Sequence, residues 1–523
     1  MEMMSGAIPK GSLVAVVGSG TMGAGIAQVA AAAGHPVLLY DTRTDAVPLA
    51  IQSVCQTFEK LASKGKVSAE AAEKAAALLR AATKLDELRS AGIVVEAIVE
   101  DLDVKRHLFS ALERIVDEHC IFATNTSSLS IGAIASALKE PSRLVGMHFF
   151  NPAPLMELVE IIGGTATDAN LLSAVHATAA AWGKTPVYAK STPGFIVNRV
   201  ARAYYGEALV LLAEQAGGPA TIDTVMREAG GFRMGPFELM DLVGLDISLA
   251  VSQSLFTAYF GDARYRPSFI QQDMVRSGYL GRKSGRGFYQ YGEGAPVMQP
   301  ETEAPAPKPE RVTLPPTGRL ADALEKRLAG SGVAVNRAAC DGTGGEWIVV
   351  GDATIAVTDG RTATQRAHET GRQNFVAVDL ALDYMTATRV AIAMASTCDQ
   401  RAYSAVVGVL QAAGLRVSCL KDVPGLAVMR TVAMLANEAA DAVNQGVATA
   451  SDVDTAMRTG VNYPRGPLNW ADDLGLPAIQ AVLGNLAAHY GGERYRVSPM
   501  IRQLVWAGRK IHETVAVASR SEK

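Results

Sequence analysis

With 523 residues, a net charge of −3 and 49% apolar residues, the chain is long enough for about three to five units, each with its own core. So balanced a charge, with only 6% aromatic residues, offers no basic face for nucleic acid. No apolar run is long enough to span a bilayer, and the opening "MEMMSGAIPKGSLVAVVG" lacks a signal-peptide pattern, so no membrane partner is expected.

The five cysteines, Cys55, Cys120, Cys340, Cys398 and Cys419, are scattered and never spaced C-x-x-C. That spacing indicates neither a disulfide framework nor a metal site, and the expected setting is a reducing, cytoplasmic one.

The first elements form a βαβ unit. In "SLVAVVGSGTMGAGIAQVAAAAGHPVLLYD" an apolar run passes through Gly18, Gly20 and Gly23, with Thr21 and Met22 between them, into an Ala-rich helix and a second apolar run. Glycines in this G-x-G-x-x-G context allow the tight turn, the approach of a pyrophosphate and the packing of helix on strand. Asp41 follows Gly23 by 18 residues, where a carboxylate accepts from an adenosine ribose and repels a 2′-phosphate. NAD is therefore expected over NADP, with Arg43 leaving residual NADP use open. Further alternation through "AGIVVEAIVE", "DLDVKRHLFSALERIVD" and "CIFATNTSSLSI" continues a parallel α/β sheet. Polar residues stand at its strand ends: Glu100, Asn125, Thr126, Ser127 and Ser128.

Next comes "RLVGMHFFNPAPLMELVEII", two strand-like runs joined by a Pro-bent turn. Folding back across that turn brings His148 toward Glu160, a pairing suited to acid/base work. An isolated pair of this kind is more often a half-buried histidine and a surface glutamate; the dinucleotide module before it and Asn198 after it favour the chemical reading.

At this point the stretch from Val14 to about Tyr291 resembles the short-form 3-hydroxyacyl-CoA dehydrogenases. The resemblance rests on "GSGTMGAGIA", "VVEAIVEDLDVK", "TNTSSLSI", "GMHFFNPAPLMELVEI", "TPGFIVNR", "GGFRMGPFELMDLVGLD" and "GRKSGRGFYQY", in that order. It implies His148 as the base for a 3-hydroxyl proton, Glu160 as its orienting partner, and Ser127 and Asn198 as hydrogen-bond partners of the reacting oxygens. It further implies Asn151 at the acyl end, and Glu100, Lys105 and Asn125 with the glycines and Asp41 on the cofactor side. Lys60, Lys64 and Lys66 fall where the family directs cations at the nucleotide of coenzyme A; a solvated helix face is the plainer alternative.

Past Tyr291, "YGEGAPVMQPETEAPAPKPERVTLPPTG" reads as a Pro-rich linker. "EWIVVGD", "ATIAVTDG", "NFVAVDL" and "RVAIAMA" then read as strands, and "GTGG" at Gly342–Gly345 as a turn. Beyond them the chain repeats itself. "TPGFIVNR" at Thr192–Arg199 returns 231 positions later as "VPGLAVMR", and the offset holds without a gap for more than fifty residues. A period this long marks a duplicated helical domain. The copy keeps its Gly-Pro pairs but has Met429 for Asn198, and nothing in it matches the His148/Glu160 hairpin.

The expected fold is therefore α/β: a Rossmann-type dinucleotide-binding domain over 1–191, an all-α domain over 192–291, a linker over 292–317, a small α/β unit over 318–420 and a second, non-catalytic all-α copy over 421–515. The resemblance implies an acyl-CoA thioester as substrate and NAD as cofactor. It also implies pairing of the two helical copies as an intrachain pseudo-dimer, leaving further homo-oligomerisation open. Duplication with one active half resembles the dehydrogenases of bacterial phenylacetate degradation, which implies 3-hydroxyadipyl-CoA. Arg202 and Arg233 are positional candidates for its distal carboxylate. The alternatives are a short-chain 3-hydroxybutyryl-CoA dehydrogenase and a non-catalytic, crystallin-like dinucleotide binder.

Overall fold

The computed structural model describes residues 6–339 and 347–514. The expected Gly342–Gly345 turn and Cys340 lie outside the described residues. The chain forms two compact units: residues up to Arg199 together with Ala442–Val461, and Val200–Asp441 together with the residues from Asn462 onward.

The first unit is built on β1 (Val14–Val17), β2 (Val37–Tyr40), β3 (Leu79–Ala81), β4 (Ile93–Glu96), β5 (Ile121–Thr124), β6 (Leu144–Phe149), β7 (Leu158–Gly163) and β8 (Thr185–Lys190). Their spatial order is β3-β2-β1-β4-β5-β6-β7-β8. All neighbours pair in parallel except β6 and β7, which are antiparallel. Every residue of β1, β4 and β5 is buried, as strands covered on both faces require, and so these strands read as near-continuous apolar runs, with Glu96 and Thr124 the polar residues at the ends of β4 and β5. Chain order reverses between β1 and β4, which opens a crevice beyond their carboxyl ends where doubly wound sheets take ligands. The helix Ala450–Gly460, from the repeated part of the chain, lies on β7 and β8.

The second unit carries β9 (Arg311–Leu314), β10 (Ala334–Arg337), β11 (Ile348–Val350), β12 (Ala353–Val357), β13 (Phe375–Val378), β14 (Arg389–Met394) and β15 (Arg416–Cys419), in the order β10-β9-β11-β12-β13-β14-β15. The four strand-like runs named from the sequence are β11 to β14. β9 falls inside the segment expected as linker, because its short apolar alternation is masked by the flanking prolines. The rest of that segment is extended but pinned: Glu301 N–H donates to Thr221 Oγ1, Glu303 N–H to the Val417 carbonyl and Ala306 N–H to Gln411 Oε1.

The repeat reaches further back than the sequence revealed. β13, β14 and β15 pair antiparallel and then parallel, as β6, β7 and β8 do. The helix Ala169–Ala181 recurs as Gln400–Ala412, still at the 231-residue offset. By that register Asp379 stands where His148 does and Ala391 where Glu160 does. The hairpin is thus present in the second half, but its chemistry is gone. Asp379 now caps the following helical turn directly, accepting from the amides of Ala427, Val428 and Met429.

Among the described residues no single helix is long and apolar enough to cross a membrane; one bent pair, Pro236–Val243 with Leu245–Ala258, meets the requirement by length and composition only.

Candidate active site

At the β1 turn each glycine has a different task. Gly18 has a φ of 105° and a Cβ there would strike the Ala97 carbonyl, while a Cβ on Gly23 would strike the carbonyl of Gly18. These two permit the turn and the packing of helix Thr21–Ala32 on the strand. Gly20 faces open space, with nothing within 4 Å of a Cβ, and as N-cap it leaves the first amides without a side-chain cap. An uncapped helix start next to open space is the cradle a pyrophosphate needs. Thr21 is exposed, and Met22 packs on the core.

Asp41 lies beside this cradle. Its Oδ2 accepts from Ser19 N–H at 2.8 Å and Ser19 Oγ–H at 2.7 Å, and its Oδ1 from Arg43 N–H at 3.0 Å. Burial pushes the carboxyl up, but the Arg43 and Ser19 donors outweigh it and hold it below the usual range. It stays ionised, as ribose recognition requires.

Glu100 organises the next strand end. It accepts from Thr126 Oγ–H, the Ser127 and Ser128 amides and Ser128 Oγ–H, at 2.6 to 3.0 Å. Desolvation opposes its charge, but Thr126, Lys105 and Ser128 prevail and keep it ionised. Lys105, expected on the cofactor side, is instead buried at 1% exposure, with Nζ 2.5 Å from Glu96 and 3.4 Å from Glu100. It supports Glu100 from within. Sequence reading passed over Glu96, which is wholly buried and also accepts from Thr124 Oγ–H and the Ile98 amide. The acid inside the apolar run "IVVEAIV" was its signal. Asn125 holds the end of β6 through Phe149 N–H at 2.8 Å.

His148 and Glu160 are directly opposite in the β6–β7 register. Nδ1–H donates to Glu160 Oε2 at 2.7 Å, and Ser127 Oγ–H donates to Nε2 at 3.0 Å. Glu160 Oε1 accepts from the Ile196 and Val197 amides, each at 3.0 Å. With both carboxylate oxygens acting as acceptors, Nδ1 is the donor and Nε2 is left as an acceptor, on the side of exposed Ser127. Asn198 follows Val197 directly and is half-buried in the one-turn helix Val197–Val200. Phe195 packs edge-on against the imidazole, 5.8 Å between centroids. Asn151 is exposed at the bend after β6.

The family models settle what this array belongs to. The model for the NAD-binding domain of 3-hydroxyacyl-CoA dehydrogenase matches residues 13–192, and the model for its C-terminal domain matches twice, at 194–291 and 425–517. The chain belongs to the 3-hydroxyacyl-CoA dehydrogenase family. A reduced Rossmann-fold domain described for 3-hydroxybutyryl-CoA dehydrogenase matches 355–424, in agreement with the register of β13 to β15. The 3-hydroxyadipyl-CoA dehydrogenase of Escherichia coli (strain K12) is 42% identical over 491 residues, 94% of this chain and 96% of that one. A solved structure of 3-hydroxybutyryl-CoA dehydrogenase from E. coli K12 covers 96% of this chain and all of that one, with a TM-score of 0.86 and 40% identity. Human mitochondrial hydroxyacyl-coenzyme A dehydrogenase is 40% identical over 284 residues, 53% of this chain and 90% of that one. As a member of this family the protein is an NAD-dependent oxidoreductase acting on an acyl-CoA thioester.

The remaining candidates separate. Lys60, Lys64 and Lys66 are exposed at the C-terminal end of helix Ala46–Ser63, where cations complement the helix dipole. Arg202 is not available to a substrate carboxylate: it is buried, its guanidinium stacks 4.5 Å over Tyr205, and Nη1 donates to the Ser248 carbonyl. Arg233 is exposed. Cys55, Cys120, Cys398 and Cys419 are free thiols, and burial pushes Cys120 up to about 12, too high for a nucleophile.

Proposed function

We propose that this enzyme oxidises (S)-3-hydroxyadipyl-CoA to its 3-oxo thioester. The observation that carries the chemistry is the Ser127–His148–Glu160 array, a base whose other ring nitrogen is held by a buried carboxylate. A secondary alcohol gives up hydride only as its proton leaves, so a base is required beside the cofactor crevice. NAD, when bound, supplies the hydride acceptor. His148 Nε2 takes the 3-hydroxyl proton, and Glu160 stabilises the resulting imidazolium while the Ile196 and Val197 amides hold that carboxylate in place. Ser127 and Asn198 hydrogen-bond the reacting oxygens, Asn151 lies toward the acyl end, and Lys60 and Lys64 draw the phosphates of coenzyme A.

The adipyl chain is supported by near full-length similarity to the E. coli 3-hydroxyadipyl-CoA dehydrogenase, with Arg233 as the exposed cation for the distal carboxylate. A second reading, 3-hydroxybutyryl-CoA, is favoured by the name of the solved structure with the same architecture. Comparing kcat/KM for the two thioesters decides between them. We expect a preference for the adipyl substrate of about tenfold or more; an equal or better butyryl value overturns the substrate assignment.

The two helical copies act as an intrachain pseudo-dimer in a cytoplasmic enzyme. Reciprocal contacts within the second unit support this. Glu207 of the first copy accepts from Arg430 at 2.7 Å, Arg494 at 2.7 Å and Tyr495 at 3.0 Å. Glu438, its equivalent in the second copy, takes Arg264 and Tyr265 of the first. Residue i meeting j while the counterpart of j meets that of i is the mark of an isologous interface. Helix exchange follows the same rule: Ala450–Gly460 lies on β7 and β8, and its equivalent Pro219–Glu228 lies on β14.

A further inference from the structure

Asn198 and the amides that hold Glu160 sit on a turn of unusual backbone. Gly194 has a φ of 76°, and Phe195, a bulky residue, has a φ of 47°. Side chains of this size adopt such a conformation only where the surroundings over-determine it. From the front, Glu160 binds the next two amides and His148 packs on the Phe195 ring. From behind, the fixing groups come from the repeated part of the chain.

Arg199, which follows Asn198, is fully buried and donates through Nη1 to Gln445 Oε1 at 2.9 Å. Lys190 N–H, just before the turn, donates to the Val447 carbonyl at 2.8 Å. Gly460 closes the back. A Cβ there would strike Leu158 Cδ2 and lie 3.3 Å from Val197 Cγ2, and Leu158 is two residues before Glu160 on β7. All these residues belong to the same compact unit as the base.

We infer that Gln445 and Gly460, which lie in the copy without catalytic groups, are positioning residues for the reaction: they set the Phe195–Arg199 turn and through it Glu160, His148 and Asn198. The same turn recurs in the other half, where Gly425 and Leu426 have φ of 74° and 52° and Lys421 N–H donates to the Ala216 carbonyl; what differs is the group that meets the arginine. There Arg430 meets the carboxylate of Glu214, the equivalent of Gln445, at 3.2 Å, and the adjacent residue is Met429. A neutral amide at 445 fixes the arginine without adding a negative charge behind the His148–Glu160 pair. The inference rests on the dehydrogenase reading, so the wild-type chain is assayed alongside with its best 3-hydroxyacyl thioester; an inactive wild type would count against that reading instead.

The test uses full-length Gln445→Ala, Gln445→Glu and Gly460→Val. In Gln445→Ala, kcat falls about 10- to 100-fold, as small misplacement of reacting groups does, while KM and NADH affinity stay within about twofold. The acid limb of kcat/KM moves to higher pH, because a Glu160 carboxylate with fewer amide donors draws the imidazole proton more strongly. Gln445→Glu, which keeps an acceptor for Arg199 but adds a negative charge behind the pair, recovers only part of kcat. Gly460→Val loses kcat, and Leu158→Ala in the same chain restores part of it. If Gln445→Ala keeps the wild-type kcat and pH profile, or loses activity only in proportion to unfolded protein with the profile unmoved, the positioning role is overturned.

Discussion

The chemistry of single residues follows from their second hydrogen bond. In the proposed mechanism His148 acts as base at Nε2 because Nδ1 is committed to Glu160, and Glu160 can serve because two amides hold its other oxygen. Replacing His148 by Gln leaves the cofactor crevice untouched and removes the base. We expect kcat to fall by about 10²–10⁴-fold with NADH affinity unchanged, measured by steady-state oxidation and NADH fluorescence titration. Unchanged turnover would sink the mechanism. His148, Glu160, Ser127 and Asn198 were legible in the sequence because the family's motifs sit around them. The support beneath them was not. The resemblance implies Lys105 on the cofactor side, yet it is buried between two carboxylates, and only a structure shows which face of its helix is covered.

Among elements, the β1 turn separates folding from binding. In Gly23→Ala the new methyl meets the Gly18 carbonyl, so both thermal stability and NADH binding are lost. Gly20→Ala puts its methyl in open space, so the melting temperature holds within a few degrees while NADH affinity falls by about tenfold or more through the pyrophosphate cradle. The two variants, measured together by thermal shift and titration, distinguish the glycine of packing from the glycine of ligand approach.

Asp223, on the helix Pro219–Glu228 of the first copy, has its own pH signature. Asp223 accepts from the Phe237 and Glu238 amides and from Tyr289 Oη–H, and burial pushes its carboxyl up from 3.8 to about 7. The folded state therefore holds this proton more tightly than the unfolded chain does. The stability it contributes is complete below about pH 3.8, falls as pH rises, and is gone above about pH 7. Up to about 4 kcal/mol is involved. Thermal unfolding between pH 5.5 and 8.5 should show the wild type losing more stability with rising pH than Asp223→Asn; parallel curves refute the assignment.

For the whole molecule, the proposed pseudo-dimer makes the degenerate half a structural partner that the active half cannot replace. A chain ended after Gly294 loses the helix Ala450–Gly460 from β7 and β8 and strips Glu207 of Arg430, Arg494 and Tyr495, uncovering the face they pack on. The fragment should therefore self-associate or lose activity, read by light scattering and turnover. A soluble, monomeric and fully active fragment shows that the second half is dispensable.

The sequence by itself determined the class of enzyme and the cofactor, and it pointed to the polar residues proposed to touch the reacting atoms. These are short-range signals, glycine spacing at a strand end and polar residues in ordered motifs, and they survive without knowledge of what packs where. Duplication was visible only where apolar helix positions and Gly-Pro pairs persisted. Tertiary structure alone decided the rest: that β13 to β15 repeat β6 to β8 with Asp379 in the place of His148, that Arg202 is buried, and that Gln445 stands behind Arg199. Contacts between residues more than two hundred positions apart depend on which faces meet, and no local pattern encodes that.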